Sequence, residues 1–440
     1  MKKIIYVLLT ITLLTFGTSY SQYVEQVSGV TTQLTSSYAV SYNASWICGY
    51  SGVVLKSTNT GASWINVSGN GIPNTVSLIS ICGINQNNAV TAGYIGSNTF
   101  VYRTSNRGAN WTQVFTETGG FIDAIYLSTN SGTGFMVGDP VGSRWSLWKT
   151  TNSGLNWDSS GLYLPQAGTE AGWNNSMSIK NNHIWFGTNN SRIYHSSNLG
   201  ASWISQSTAP EVNTYTVWFS QDTSYGFAGG TTLLLTSNGG TVWRDTTAPG
   251  TGNFTGFTEG VQGVKDYPPM IVWYTRSDNS LYLRMYPSVN WTLAYTAPAG
   301  TYRYLSPLLC GYAFAVRTNG GITMIVTETG GVKKISSSVP DGFKLYDNYP
   351  NPFNPSTKIK FDVKFSPLYE RGAGGFITLT VYDALGREVE TLVNEPLSAG
   401  TYEVEWPAPS GTTDKYTSGI YFYRLTTEGY SVSKKMILLK

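Results

Sequence analysis

The feature that most constrains this chain is an octet, Ser/Thr-x-Asn-x-Gly-x-x-Trp, repeated five times between Ser57 and Trp243. Its fixed positions are Asn59, Gly61 and Trp64, then Asn106, Gly108 and Trp111, and Asn152, Gly154 and Trp157. Asn198, Gly200 and Trp203 follow, then Asn238, Gly240 and Trp243. The tryptophans stand 47, 46, 46 and 40 residues apart. Upstream of each octet lies a hydrophobic run ending in Gly49, Gly93, Gly138, Gly187 or Gly229, then a short strand-like run such as Arg192-Ile193-Tyr194-His195. Asn tolerates a left-handed backbone and its side-chain oxygen accepts turn N–H groups, while Gly takes positive φ without a steric cost. Trp can then open the outgoing strand and pack its ring over the hairpin. Each octet therefore reads as the turn between the third and fourth strands of a four-stranded unit. Such units of about 40–45 residues predict a β-propeller.

Two further units are degraded. Leu281-Tyr282-Leu283-Arg284 leads to Asn290 and Trp291, and Ile322–Thr327 leads to Gly330 and Gly331, with Lys334 where Trp is expected. Counting both gives seven blades over Gln22–Val339, with six or eight as alternatives. Composition fits an all-β fold: 14% aromatic and 12% charged residues with 48 glycines leave neither the polarity of a disordered chain nor the helix formers of a bundle. The net charge of +3 comes without a basic stripe, so no nucleic-acid partner is expected. Cys48, Cys82 and Cys310 permit at most one disulfide, and His183 and His195 lack close ligand spacing, so no metal and no cofactor are expected.

Met1-Lys2-Lys3, an apolar run from Ile4 to Phe16, and small residues at Ser19 and Ser21 predict a signal peptide over residues 1–21. The run is shorter than the roughly 20 residues a membrane span takes, and no membrane span is expected in the mature protein.

The octets resemble the Asp-box repeat, found in bacterial neuraminidases and in propellers similar to photosystem II assembly factors, sortilins and xyloglucanases. All five copies depart from it in one way, with Asn where the family usually has Asp. The resemblance implies a propeller over 22–340 with the boxes on its turn face.

After Val339 the octets stop and charged residues become frequent. Alternating runs such as Ile359-Phe361-Val363, Tyr402-Val404-Trp406 and Tyr421-Tyr423-Leu425 predict half-buried strands, and roughly seven of them in 341–440 predict a small immunoglobulin-like β-sandwich. The block Pro350-Asn351-Pro352-Phe353-Asn354-Pro355 with Thr357, followed by Gly386, Gly419-Ile420-Tyr421 and Lys434-Lys435, resembles the C-terminal sorting domain of the type IX secretion system. That resemblance implies Sec export, passage through the periplasm, and type IX delivery to the cell surface or medium, with the secretion machinery as partner. An insert, Ser366–Gly375, departs from the family and is expected to bulge outward.

For the propeller two functions compete: a noncatalytic module binding an extracellular glycan, peptide or protein, and a secreted glycoside hydrolase of sialidase or xyloglucanase type. Hydrolysis needs two carboxyl groups about 5–9.5 Å apart. The inter-blade loops offer Glu117, Glu170 and Glu211, with Asp139 and Glu259 as further acids. The Arg-Ile-Pro or Arg-Leu-Pro motif customary in sialidases is missing. Tyr163, Glu170 and Trp173, in the longest loop, suit sugar or peptide binding. The binding module is the reading adopted, with the hydrolase as the alternative.

Overall fold

The structure is a computed structural model describing residues 21–41, 44–129, 131–261, 271–285, 288–308, 311–327, 332–336, 338, 340–364, 376–397, 399–406, 416–427 and 429–439. The expected signal peptide up to Tyr20, Cys310 and the insert Ser366–Gly375 lie outside these residues. The described chain contains strands and turns and no helix. It forms two compact units, one spanning Ser21–Thr327 and one beginning at Val332.

The first unit holds seven antiparallel sheets among its described residues. Their innermost strands are Leu34–Ser41, Ser77–Gly83, Ile122–Leu127, Gly172–Lys180, Thr216–Phe219, Phe254–Val261 and Tyr302–Leu305. Each packs against the next, and the seventh returns to the first, so the sheets close a ring around a channel. The third sheet has three full strands, and bridges from Arg144 to Pro165 and from Lys149 to Asp158 replace its outer strand.

The octets form the turns between third and fourth strands, as their residue types dictate. In the first copy Asn59 Oδ1 accepts the Ser63 N–H at 2.9 Å, and Ser57 Oγ accepts the Gly61 N–H at 2.8 Å. The Asn contact recurs at Asn106, Asn152, Asn198 and Asn238. The tryptophans reach further than the hairpin. Trp64 packs edge-on against Phe314 of the seventh sheet at 5.2 Å, and Trp111 against Trp46 of the first sheet at 6.0 Å. Trp291 of the degraded sixth unit keeps this role against Phe227, 5.9 Å away in the fifth sheet. These rings thus join a sheet to its predecessor.

The end of the ring differs from the sequence expectation. Val332–Ser336, counted with the last repeat and carrying Lys334 at the Trp position, pairs with Gly400–Trp406 in the second unit. The outer strand of the seventh sheet is instead Ser21–Gln26, paired with Ile322–Thr327 in register Ser21 to Thr327. With that edge already filled, Val332–Ser336 takes its partner outside the ring.

The second unit consists of two four-stranded sheets sharing one apolar core that includes Ile359, Phe361, Leu379, Val381, Trp406, Tyr423 and Met436. The asparagine–proline block is sewn to the C-terminal strand. Phe353 is buried, its N–H donates to Ile437 O at 3.0 Å, and Asn351 Oδ1 accepts the Ile437 N–H at 3.0 Å. Asn348 Nδ2 donates to Pro350 O and to Thr357 Oγ1. Tyr421 is buried, and Gly386 takes a φ of 78° in the turn after Leu385.

Candidate functional site

The seven innermost strands leave space at both ends of the channel, and one side chain divides it. Between Gly172 and Met177 the fourth sheet slips register, and Asn175 takes a φ of 61°, a value Asn adopts more readily than most residues. This bulge aims the amide across the channel. Its Nδ2 donates to Ile79 O at 2.8 Å and Thr35 O at 3.3 Å, carbonyls of the second and first sheets, and its Oδ1 accepts from Ser36 Oγ at 3.4 Å. Asn175 lines the cavities on both sides of this bridge.

The narrower cavity, about 220 Å³, lies where inner strands begin, on the face away from the octet turns. Trp173 and Tyr215 form its aromatic wall, their rings 4.2 Å apart, and Trp173 Nε1 is buried with no hydrogen-bond partner among the described residues. Asn174, Asn253, Gln33 and Arg303 supply amides and a guanidinium around it. The wider cavity, about 760 Å³, opens on the octet face between residues such as Tyr38, Trp218, Phe257, Tyr304 and Lys180.

Of the three glutamates proposed from sequence, Glu170 and Glu211 anchor loops, whereas Glu117, expected in a loop, lies within the outer strand Thr112–Thr118. Glu170 is buried; its Oε1 accepts from Tyr194 OH at 2.7 Å, Ala167 N at 2.9 Å and Trp145 Nε1 at 3.1 Å, and Arg192 Nε stands 3.6 Å from Oε2. Glu211, also buried, accepts from Thr232 N at 2.8 Å, Thr231 Oγ1 and Asn213 N, tying the fourth inter-sheet loop to the fifth sheet. Glu117 Oε2 accepts Ser146 Oγ at 2.6 Å from the third sheet. A carboxylate holding three or four donors is a loop anchor with little freedom to shuttle protons. The expected trio Tyr163, Glu170 and Trp173 is split: Tyr163 is 64% exposed, Glu170 points inward, and Trp173 lines the narrow cavity.

Other acids behave differently. Asp139 accepts the Gly172 N–H at 2.7 Å, and burial raises its carboxyl above the usual range. Buried Asp123, with the charge of Asp139 nearby, is pushed well above it, and its Oδ2 has no hydrogen-bond partner among the described residues. Burial lifts Glu259 to about 7 against the opposing pull of Lys180. His183 and His195 meet across their strands, Nδ1 to Nε2 at 2.9 Å, a contact that their spacing in the chain hides. No group of three or more possible metal-binding side chains occurs among the described residues.

Of the residues lining this cavity, sequence reasoning named Trp173 and not Tyr215, Asn175, Asn253 or Arg303. Their shared signal is positional: each stands within about three residues of the start of an inner strand, and such positions converge wherever sheets close a ring.

A ring of seven sheets, six of them four-stranded among the described residues, around a channel with a cavity at each end defines the class: the first unit is a β-propeller. The sequence profile described as photosynthesis system II assembly factor YCF48 matches residues 21–256, more than half of the chain, and the chain belongs to that family. The profile described as secretion system C-terminal sorting domain matches residues 347–439, which marks the protein for recognition by the type IX machinery and for delivery to the cell surface or medium. No curated protein matches in a sequence comparison. Among solved structures, a YCF48 described as bound to a D1 peptide is similar at 14% identity and a TM-score of 0.55, covering 70% of this chain and 97% of that one. YCF48 from Cyanidioschyzon merolae aligns at 13% identity and 0.56, covering 69% and 98%. The WD40 propeller domain of Doa1 aligns at 12% and 0.51, covering 70% and 98%. At these identities the likeness is one of fold.

Proposed function

We propose that the mature protein is a seven-bladed propeller on an immunoglobulin-like sorting domain, exported by a signal peptide through the periplasm, and that its propeller is a noncatalytic module binding one saccharide unit of an extracellular glycan. The domain boundary falls between Thr327 and Val332. The observation that carries the binding role is the narrow cavity. A Trp173–Tyr215 wall offers an apolar face to a sugar ring, while the unsatisfied Trp173 N–H and the surrounding amides offer hydrogen bonds to its hydroxyls. The hydrolase reading loses support because Glu117, Glu170 and Glu211 are engaged by internal donors. A glycan array probed with the purified protein tests the proposal. Binding should be lost in Trp173→Ala and kept in Glu117→Gln, and bound glycans should remain uncleaved. Turnover of a bound glycan, or wild-type binding by Trp173→Ala, would reject it.

A further inference from the structure

The wider cavity lies beyond the saccharide reading, on the other side of the Asn175 bridge, and its chemistry differs. Its wall sets Tyr38, Trp218, Phe257 and Tyr304, drawn from four different sheets, among hydroxyl and amide side chains such as Ser178 and Asn182. Its volume of about 760 Å³ falls in the range of small-molecule sites. The charged residues lining it are two lysines, and no carboxylate lines it among the described residues. Lys149 is engaged, its Nζ donating to Ser160 O at 2.7 Å. Lys180 is not: its ammonium sits 5.8 Å from the Trp218 ring, and no hydrogen bond or ion pair reaches it among the described residues. Burial pulls this amine below its ordinary range, with Glu259 opposing from too far to form an ion pair. A desolvated, unpaired cation at the edge of an aromatic well is an incomplete arrangement, because a buried charge is normally paired.

We propose that the wide end of the channel is a second binding site, taking an amphiphile with a carboxylate or sulfonate head on an aromatic or aliphatic body, the head paired with Lys180. The body fills the well between Trp218, Phe257 and Tyr304, and the head regains at Lys180 the charge-assisted hydrogen bonds that it gives up in leaving water. Asn175 closes the floor, so this ligand and one in the narrow cavity occupy separate spaces.

The test compares two fluorescent probes on the purified protein: anionic 1-anilinonaphthalene-8-sulfonate and its uncharged relative N-phenyl-1-naphthylamine. Lys180→Met, close to Lys in volume, should weaken the sulfonate by about tenfold or more and leave the neutral probe within about twofold. Trp173→Ala should change neither. Equal loss of both probes in Lys180→Met, no loss of either, or loss of the sulfonate in Trp173→Ala would overturn the proposal. Should Lys180→Met fail to fold, acylation of Lys180 in the wild type decides. Saturating sulfonate should slow that reaction, and an unchanged rate would overturn the site. Failure of either arm leaves saccharide binding at Trp173 untouched, so the two readings fall separately.

Discussion

Gly61 shows how little room the octet turn leaves. Its φ is 78°, and a Cβ there would stand 2.4 Å from Gln26 Oε1 and 2.9 Å from Phe314 Cε1, atoms of the closing sheet. Gly61→Val should therefore destabilise the first unit by about 1–3 kcal/mol, combining backbone strain with a clash, read as a lowered melting temperature. The residue types of this turn were legible because turn chemistry is local. Its second left-handed residue was not: Thr60, with a φ of 58°, carries no signature in the sequence. The histidine pair was hidden for another reason, since contact between His183 and His195 depends on strand register, which a spacing of 12 residues does not reveal. Burial and the neighbouring His183 hold His195 down to about 4, and Trp185 stacks on its ring at 4.6 Å. With the folded value below the unfolded one, the unfolded chain binds more protons between about 6.5 and 4. Stability should thus fall as pH drops through that window and level off below it. Thermal melts of His195→Gln from pH 7 to 4 should show a shallower decline than wild type.

Among the strands, Ser21–Gln26 has a large consequence for its size, because it carries the start of the propeller into the last sheet by backbone pairing with Ile322–Thr327. Glu25 is its anchor: Oε1 accepts from Thr323 Oγ1 at 2.7 Å, Arg317 Nη1 at 3.0 Å and Tyr295 OH at 3.2 Å, and Oε2 pairs with Arg317 Nη2. Burial pushes the Glu25 carboxyl up, but the hydrogen bonds and charge of Arg317, with Thr323 and Tyr295, outweigh it and hold the group below the usual carboxylate range. A depressed carboxylate contributes stability that is complete above its unfolded value and lost as pH falls through the folded one. Glu25→Gln should melt earlier than wild type at pH 7, and the two curves should converge as pH falls below about 4. An equal gap at pH 7 and pH 3 would show that the pair contributes no ionic stabilisation. Inner strands and octet turns were readable because they repeat; the closing strand was not, since it carries no octet and lies some 300 residues from its partner. That gap led the sequence reading to seek the last strand near Lys334. The inter-sheet glutamates show a related limit: their positions made them candidates for chemistry, and only donors distant in the chain reveal Glu170 and Glu211 as anchors.

At the scale of the whole molecule, the two units keep separate cores, and the joint between them has a definite place. The last strand of the propeller ends at Thr327, and the second unit begins with Val332–Ser336, whose partner is Gly400–Trp406. The change of composition after Val339 located the second unit but set its start too late, since an edge strand has no compositional mark of its own. The position of the cut therefore matters. Removal of residues 328–440 should leave the propeller with the melting temperature of its transition in the intact protein, and trap it in the periplasm of a type IX-competent host. Removal of 341–440 should do the same for location but lower solubility, because the stranded 332–336 segment would expose an unpaired edge. The converse holds for the sorting unit. A reporter fused to 328–440 should reach the surface more efficiently than one fused to 341–440, whose sheet would lack the strand covering Gly400–Trp406. Surface fractions measured by protease accessibility check this. Equal display from the two fusions would make Val332–Ser336 dispensable to the sorting unit, and surface display of the propeller after loss of 328–440 would separate its export from the second unit altogether.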